Sequence, residues 1–147
     1  MLQARICVLV ALFVGTISPA TAEDYVLPTG VTVLTEEQLL NQIIGNTLIG
    51  GNGLWVDYFE LPTGDEKKGR FKEKSTGAHT AGIFEGDWTI HGALMCIHYD
   101  KLVMVADNNC YTTALDGDTV TWYLPDGYPW YNRRPPIKLI SGNYKNL

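Results

Sequence analysis

The chain has 147 residues, 11 Lys and Arg against 16 Asp and Glu, and a formal net charge of −5, with 15 glycines, eight tyrosines and four tryptophans. This length and composition are typical of one globular domain and exclude most extended, fibrous and multidomain architectures. The acidic balance argues against a nucleic-acid-binding protein, because such proteins neutralise phosphates with a basic face.

Residues 1–22 have the pattern of a cleaved secretory signal peptide. Arg5 precedes an apolar run over residues 6–17, and small residues follow up to Ala22, after which we expect cleavage. The run is much shorter than the roughly 20 residues that a spanning helix needs. We therefore expect a periplasmic or secreted protein with no transmembrane segment in its mature form.

A flexible lead-in over residues 23–33 and a single β-rich domain over residues 34–147 are predicted to follow. The motif Thr35-Glu36-Glu37-Gln38 matches a capping box and predicts a helix over residues 36–44. Its apolar stripe should face the core, and its two glutamates lie where the helix dipole favours negative charge.

The rest of the chain alternates short aromatic and β-branched runs with turn residues, which is typical of antiparallel strands. Asp116-Gly117-Asp118 is the strongest hairpin turn among them. Such a meander can close into a small barrel or bend over the helix as an open sheet, and we predict a small barrel-like, calycin-like sheet with one short N-terminal helix. Proline-rich residues 125–147 should wrap an edge or cover a barrel end. The predicted strands are residues 47–49, 54–61, 69–74, 82–91, 93–99, 101–106, 110–115, 119–124 and 137–140.

Two cysteines, Cys96 and Cys110, follow the predicted signal peptide. A pair of cysteines in an exported chain predicts a disulfide, because the compartment is oxidising. The closed loop of about 15 residues should contribute roughly 3 kcal/mol to stability. A structural zinc site would need a second pair of ligands close by.

Four carboxylates, Asp57, Glu60, Glu85 and Asp87, are the residues that could support acid and base hydrolysis. Asp57 and Glu60 have opposite parity on one predicted strand, so they should face opposite sides of the sheet. Asp87 follows a glycine in a pattern that resembles a β-bulge. We therefore predict no catalytic residues and no enzyme activity.

The three histidines, His79, His91 and His98, have no spacing that defines a metal site by itself. No glycine-rich segment precedes a helix, so a phosphate-binding loop is not indicated. In the basic stretch before residue 75, Arg70, Lys72 and Lys74 should share one solvated strand face while Phe71 points inwards. No cofactor and no metal are expected.

Aromatic side chains on the predicted strands should build the core, and those left over could line a cavity. The tail also groups aromatic and guanidinium side chains beside prolines, which suits a binding patch or a segment held onto the barrel by its aromatic residues. The candidate patch consists of Tyr128, Trp130, Tyr131, Arg133 and Arg134.

The chain resembles the small exported proteobacterial proteins grouped as domain-of-unknown-function family 995. The resemblance covers roughly residues 34–124 and includes Gly86-Asp87-Trp88-Thr89-Ile90, Leu94-Met95-Cys96-Ile97 and Asn109-Cys110-Tyr111. It implies export and a β-rich fold, and it assigns no catalytic residue. The combination of small barrel, one disulfide and export is also similar to bacterial lysozyme inhibitors.

These observations together predict an exported, monomeric binding domain that is not an enzyme. Its partner would be a small apolar or sugar-like ligand, or another envelope protein. A periplasmic inhibitor of a secreted hydrolase is one alternative, and a small hydrolase using a carboxylate pair is another. A void lined by strand aromatics would favour the small ligand, whereas a filled core with Trp130 and Tyr131 exposed would favour the protein partner.

Overall fold

A computed structural model describes residues 27, 29–78, 81–101, 109–124, 127–130 and 136–147. The predicted signal peptide lies outside these residues, as do most of the predicted strand at 101–106 and its neighbours up to residue 108. The proposed cleavage after Ala22 therefore stays a prediction.

The described residues form a closed antiparallel barrel in which each strand pairs with the next and β8 pairs with β1. The predicted barrel with one short helix is confirmed, and the open bent sheet is not what the chain forms. The elements are α1 (Glu36–Gln42), β1 (Thr47–Gly50), β2 (Trp55–Phe59), β3 (Lys68–Ser75), β4 (Gly82–His91), β5 (Leu94–Tyr99), β6 (Asn109–Asp116), β7 (Thr119–Tyr123) and β8 (Ile137–Ile140).

The helix begins with the capping box that the sequence predicts. The Thr35 hydroxyl accepts from the Gln38 backbone N–H at 3.3 Å, and the Gln38 side chain accepts from the Thr35 N–H at 2.9 Å. The helix ends at Gln42, two residues before the predicted end, because Gly45 adopts a left-handed φ of 78° and turns the chain into β1.

The helix packs against one end of the barrel, here called the helix end. Gly45 N–H donates to the Phe59 carbonyl at the end of β2, and Glu36 accepts from Gly92 in the β4–β5 turn. Side chains alternate inwards and outwards along each strand, so every second residue faces the interior. The opposite end, here called the far end, carries the β1–β2 turn and Ser75 at the end of β3.

Strand β8 confirms the strand predicted at residues 137–140, but it lies within the closed sheet and not at an edge as expected of the tail. Ile137–Ile140 begins directly after Pro136, and its free N–H groups let it pair with both β1 and β7. The prolines lie before the strand, so they do not interrupt its hydrogen bonds. The last strand therefore closes the barrel.

The predicted bulge at Gly86-Asp87 is not present, since β4 pairs with β3 and with β5 in continuous register through both residues. Glycine is required at position 86 for a different reason. A Cβ atom there would lie 2.1 Å from the His98 carbonyl oxygen and 2.4 Å from the Phe71 ring. Because Gly86 has no side chain, the His98 carbonyl of β5 and the Phe71 ring of β3 can both lie close to the backbone of β4.

The Cys96–Cys110 disulfide is confirmed, with an S–S distance of 2.02 Å. The two cysteines lie directly opposite each other on β5 and β6. The bridge therefore links adjacent strands of the barrel wall.

Candidate functional site

Two carboxyl side chains face each other inside the barrel. Asp57 on β2 lies directly opposite Glu73 on β3 in the strand register. Asp57 alternates with the buried Trp55 and Phe59, and only 5% of it is exposed. Glu73 is half-buried. Opposed residues of an antiparallel pair have Cβ atoms about 4.5–5.5 Å apart, so the two carboxyls can interact directly.

Tyr99 joins this pair from β5. Its hydroxyl donates to Glu73 Oε2 at 2.6 Å, and its ring packs edge-on against Phe71 with the centroids 5.1 Å apart. Gly86 on the intervening strand β4 pairs with both Phe71 and Tyr99. The close approach at Gly86 thus lets groups from β3 and β5 meet across β4.

Burial changes the acidity of all three groups. Desolvation, followed by the charge of Glu73, raises the pKa of Asp57 well above its ordinary 3.8. Desolvation also raises the pKa of Glu73, although the hydrogen bond from Tyr99 acts against this. The pKa of Tyr99 is raised as well, first by burial and then by the two carboxylates. The pair therefore keeps a proton to a higher pH than isolated carboxyls do.

No basic side chain among the described residues forms an ion pair with Asp57 or Glu73. Within the described ranges, Arg70 and four lysines form ion pairs with acids elsewhere. The interior pair thus differs from the outer surface, where acids and bases lie side by side.

An aromatic cluster lies next to the carboxyl pair, towards the far end, and Trp122 is at its centre. The Trp122 ring stacks on Trp55 at 6.1 Å and on Tyr111 at 5.0 Å, and Trp130 packs against it at 5.5 Å. Trp55 is the next inward residue to Asp57 on β2, so the cluster and the carboxyl pair are adjacent among the inward-facing side chains, here called the interior lining.

Several buried polar atoms of this lining have no hydrogen-bond partner within the described part of the chain. They include Asp57 Oδ1, Thr113 Oγ1 and Trp122 Nε1. Thr113 lies opposite Trp122 on the neighbouring strand and is fully buried. An unsatisfied buried polar group costs about 1–3 kcal/mol, so three of them in one lining call for an explanation.

Of the four carboxylates that the sequence singles out, only Asp57 faces the interior. Glu60 lies 3.6 Å from Lys72, and Asp87 and Glu85 lie 2.9 Å and 3.9 Å from Arg70 on the outer surface. The opposite orientation of Asp57 and Glu60 is confirmed.

Glu73 is the residue that sequence reasoning missed. Its neighbours Lys72 and Lys74 are basic, yet Glu73 has the same parity along the strand as Phe71, which is predicted to point inwards and is buried. The same alternation that places Arg70 and Lys72 outside therefore places Glu73 inside, and this is the signal that could have identified it.

The candidate patch in the tail is only partly described. Tyr128 is 64% exposed, whereas Trp130 packs against the core as part of the aromatic cluster. Tyr131, Arg133 and Arg134 lie outside the described residues.

Within the described ranges, no group of three or more His, Cys, Asp or Glu side chains could hold a metal ion. His91 and His98 are exposed, and His79 lies outside these ranges. In the same part of the chain, no helix has the length and apolar character to cross a membrane.

Comparisons with known proteins add no relative. No protein-family model, no curated protein and no solved structure matches the chain. The resemblance to family 995 stays a prediction, and the geometry of the barrel interior is what bears on function.

Proposed function

We propose that this chain is an exported binding protein that holds a small ligand inside its barrel, on the lining formed by the aromatic cluster and the carboxyl pair. The observation that carries the proposal is a set of buried polar atoms that have no hydrogen-bond partner among the described residues, namely Asp57 Oδ1, Thr113 Oγ1 and Trp122 Nε1. A ligand that bonds to these atoms would remove the free-energy cost of burying them.

The surroundings of these atoms favour a ligand site. Binding sites for small molecules combine many apolar and aromatic side chains with a few polar groups that fix orientation. Trp55, Tyr111, Trp122 and Trp130 supply the aromatic surface. Trp130 is partly buried and packs into this cluster, so it is less exposed than an anchor for a protein partner would be, which favours the small ligand over that alternative.

The disulfide supports export. Disulfides persist in oxidising compartments and are rare in reducing ones, and Cys96–Cys110 is formed between paired strands. The signal-peptide pattern of residues 1–22 points the same way.

Native mass spectrometry of the purified protein, compared with the denatured protein, tests the proposal. We expect an additional mass that is lost on denaturation. Thr113→Val keeps the side-chain shape but removes the inward hydroxyl, so it should reduce occupancy. Thr121→Val, the same change at a position of opposite parity on β7, should leave occupancy unchanged. A bare mass for the wild-type protein, with no binding in later ligand screens, would contradict the proposal.

Hydrolysis by the carboxyl pair is a second candidate, favoured by the direct opposition of Asp57 and Glu73. A hydrolase needs one protonated and one ionised carboxyl, with their pKa values driven apart. Here burial raises the pKa of both groups, which supports binding more than catalysis. Turnover of chromogenic glycosides or esters that disappears in both Asp57→Asn and Glu73→Gln would favour the hydrolase instead.

A further inference from the structure

We propose that the ligand is cationic, a primary or substituted amine with a flat apolar body, whose ammonium group lies between Asp57 and Glu73 and whose body lies on the aromatic cluster. This inference rests on the proposed function and specifies the class of ligand that the site binds.

The first argument is charge matching. On the outer surface, acids near β3 have basic neighbours. Arg70 donates to Asp87 and to Asp100, and Lys72 forms an ion pair with Glu60. Inside, two acids lie opposite each other, and no Lys or Arg forms an ion pair with them in the described part of the chain. An ammonium group would compensate this charge, whereas a neutral ligand would leave it uncompensated.

The second argument is independent of the acids and comes from the aromatic rings. Trp122 is buried, with Trp55 and Tyr111 stacked on it and Trp130 tilted against it. Indole and phenol faces carry negative electrostatic potential and attract a cation within about 6 Å of the ring centre. Trp55, the inward neighbour of Asp57 on β2, is the ring of the cluster that lies next to the carboxyl pair. The Thr113 hydroxyl, fully buried and without a partner among the described residues, could accept a hydrogen bond from an ammonium group or a ligand hydroxyl.

Binding would displace a proton. Burial raises the pKa of Asp57 and of Glu73, so the pair keeps a proton to a higher pH than isolated carboxyls do. Among the described residues, the phenol of Tyr99 also faces the pair, and Tyr111 lies close enough to Tyr99 to raise the pKa of that phenol. When an ammonium ion enters, the carboxyl pair loses its proton to the buffer and the ammonium ion keeps its own. At every pH where the free pair still holds a proton, we therefore expect amine binding to release protons to the buffer.

The experiment uses matched probes of known structure. Benzylamine, 2-phenylethylamine and tryptamine are titrated into the full mature protein by calorimetry, each beside the alcohol of the same skeleton. The titrations are repeated in two buffers of different ionisation enthalpy to count protons. We expect at least one amine to bind about tenfold or more tightly than its alcohol, with proton release, and we expect this preference to weaken as the pH falls and the carboxyls become protonated.

Variants test whether the preference for the amine over the alcohol comes from the carboxyl pair. The double variant Asp57→Asn, Glu73→Gln keeps the shape of both side chains and should abolish the preference and the proton release while the alcohol still binds. Glu85→Gln, on the outer face of β4, is the matched control and should behave as the wild-type protein does. The wild-type comparison of amine with alcohol needs no variant, so it decides the question even if the double variant does not fold.

The outcomes separate the two proposals. Equal affinity for amine and alcohol would overturn the cationic ligand and leave the binding function standing. If none of the six probes binds while native mass spectrometry shows a retained mass, the cationic ligand is likewise overturned and the binding function stands. Failure of all six probes together with a bare native mass would overturn both.

Discussion

At the scale of single residues, the unusual feature is a carboxyl group where a hydrophobic side chain would be more stable. Asp57 lies between Trp55 and Phe59 on the inward face of β2, and Glu73 opposite it adds a like charge. A buried charge without a counter-ion destabilises the folded state. Residues that impair stability in this way are typical of functional sites.

Asp57→Asn is therefore expected to stabilise the protein at alkaline pH. Because the folded pKa of Asp57 is raised, its favourable contribution is complete below the unfolded value near 3.8 and is lost as the pH rises through the folded pKa. At pH 8 the variant should be more stable by about 1 kcal/mol. The difference should shrink towards zero below about pH 4. Thermal unfolding at several pH values measures it.

Asp118→Asn provides a control of opposite sign. Lys138 holds the pKa of the exposed Asp118 below its ordinary value, so this carboxylate stabilises the fold above the unfolded pKa and loses that effect as the pH falls. The Asp118 variant should be slightly less stable than wild type at pH 8. If Asp57→Asn were also less stable at pH 8, the destabilising effect proposed for the buried Asp57 charge would be wrong.

The sequence alone is enough to predict that Asp57 and Glu73 face the interior, but not that they lie opposite each other. Parity with Trp55 and with Phe71 follows from the alternation along one strand. Their opposition depends on the register between β2 and β3, which is set by the loop over residues 60–67 and by packing across the barrel. No local pattern contains that information.

At the scale of elements, the helix start was the most predictable feature, because its capping bonds join residues three apart in the chain. Thr35→Ala should lower the free energy of unfolding by about 1 kcal/mol, since the Gln38 N–H would lose its acceptor. Thr35→Ser retains the hydroxyl and should recover most of the loss. Urea unfolding of the three proteins measures this, and identical midpoints would show that the cap contributes nothing.

Strand β8 was harder to predict than the strands near hairpin turns. The Asp116-Gly117-Asp118 turn joins β6 and β7 within a few residues, so a local signal determines both strands. Ile137–Ile140 is a short apolar run after prolines, and its partner β1 begins at Thr47, far back in the chain. Its role follows from a contact between distant segments.

At the scale of the whole molecule, closure of the barrel depends on β8, which joins β7 to β1. An open sheet would leave two unpaired edges and would expose the interior lining to water. The proposed ligand site therefore exists only in the closed form, because the carboxyl pair on β2 and β3 and the aromatic residues on β6 and β7 belong to different parts of the wall.

Leu139→Pro tests this dependence. The Leu139 N–H donates to the Asp118 carbonyl at 2.8 Å, and proline would remove that donor inside a strand paired on both sides. We expect a loss of about 3 kcal/mol or more in urea unfolding. Leu139→Ala is the matched variant, since it removes the same side chain but keeps the N–H, and it should be clearly less destabilising. Equal losses in the two variants would mean that side-chain packing, and not the β8 hydrogen bonds, holds the barrel closed.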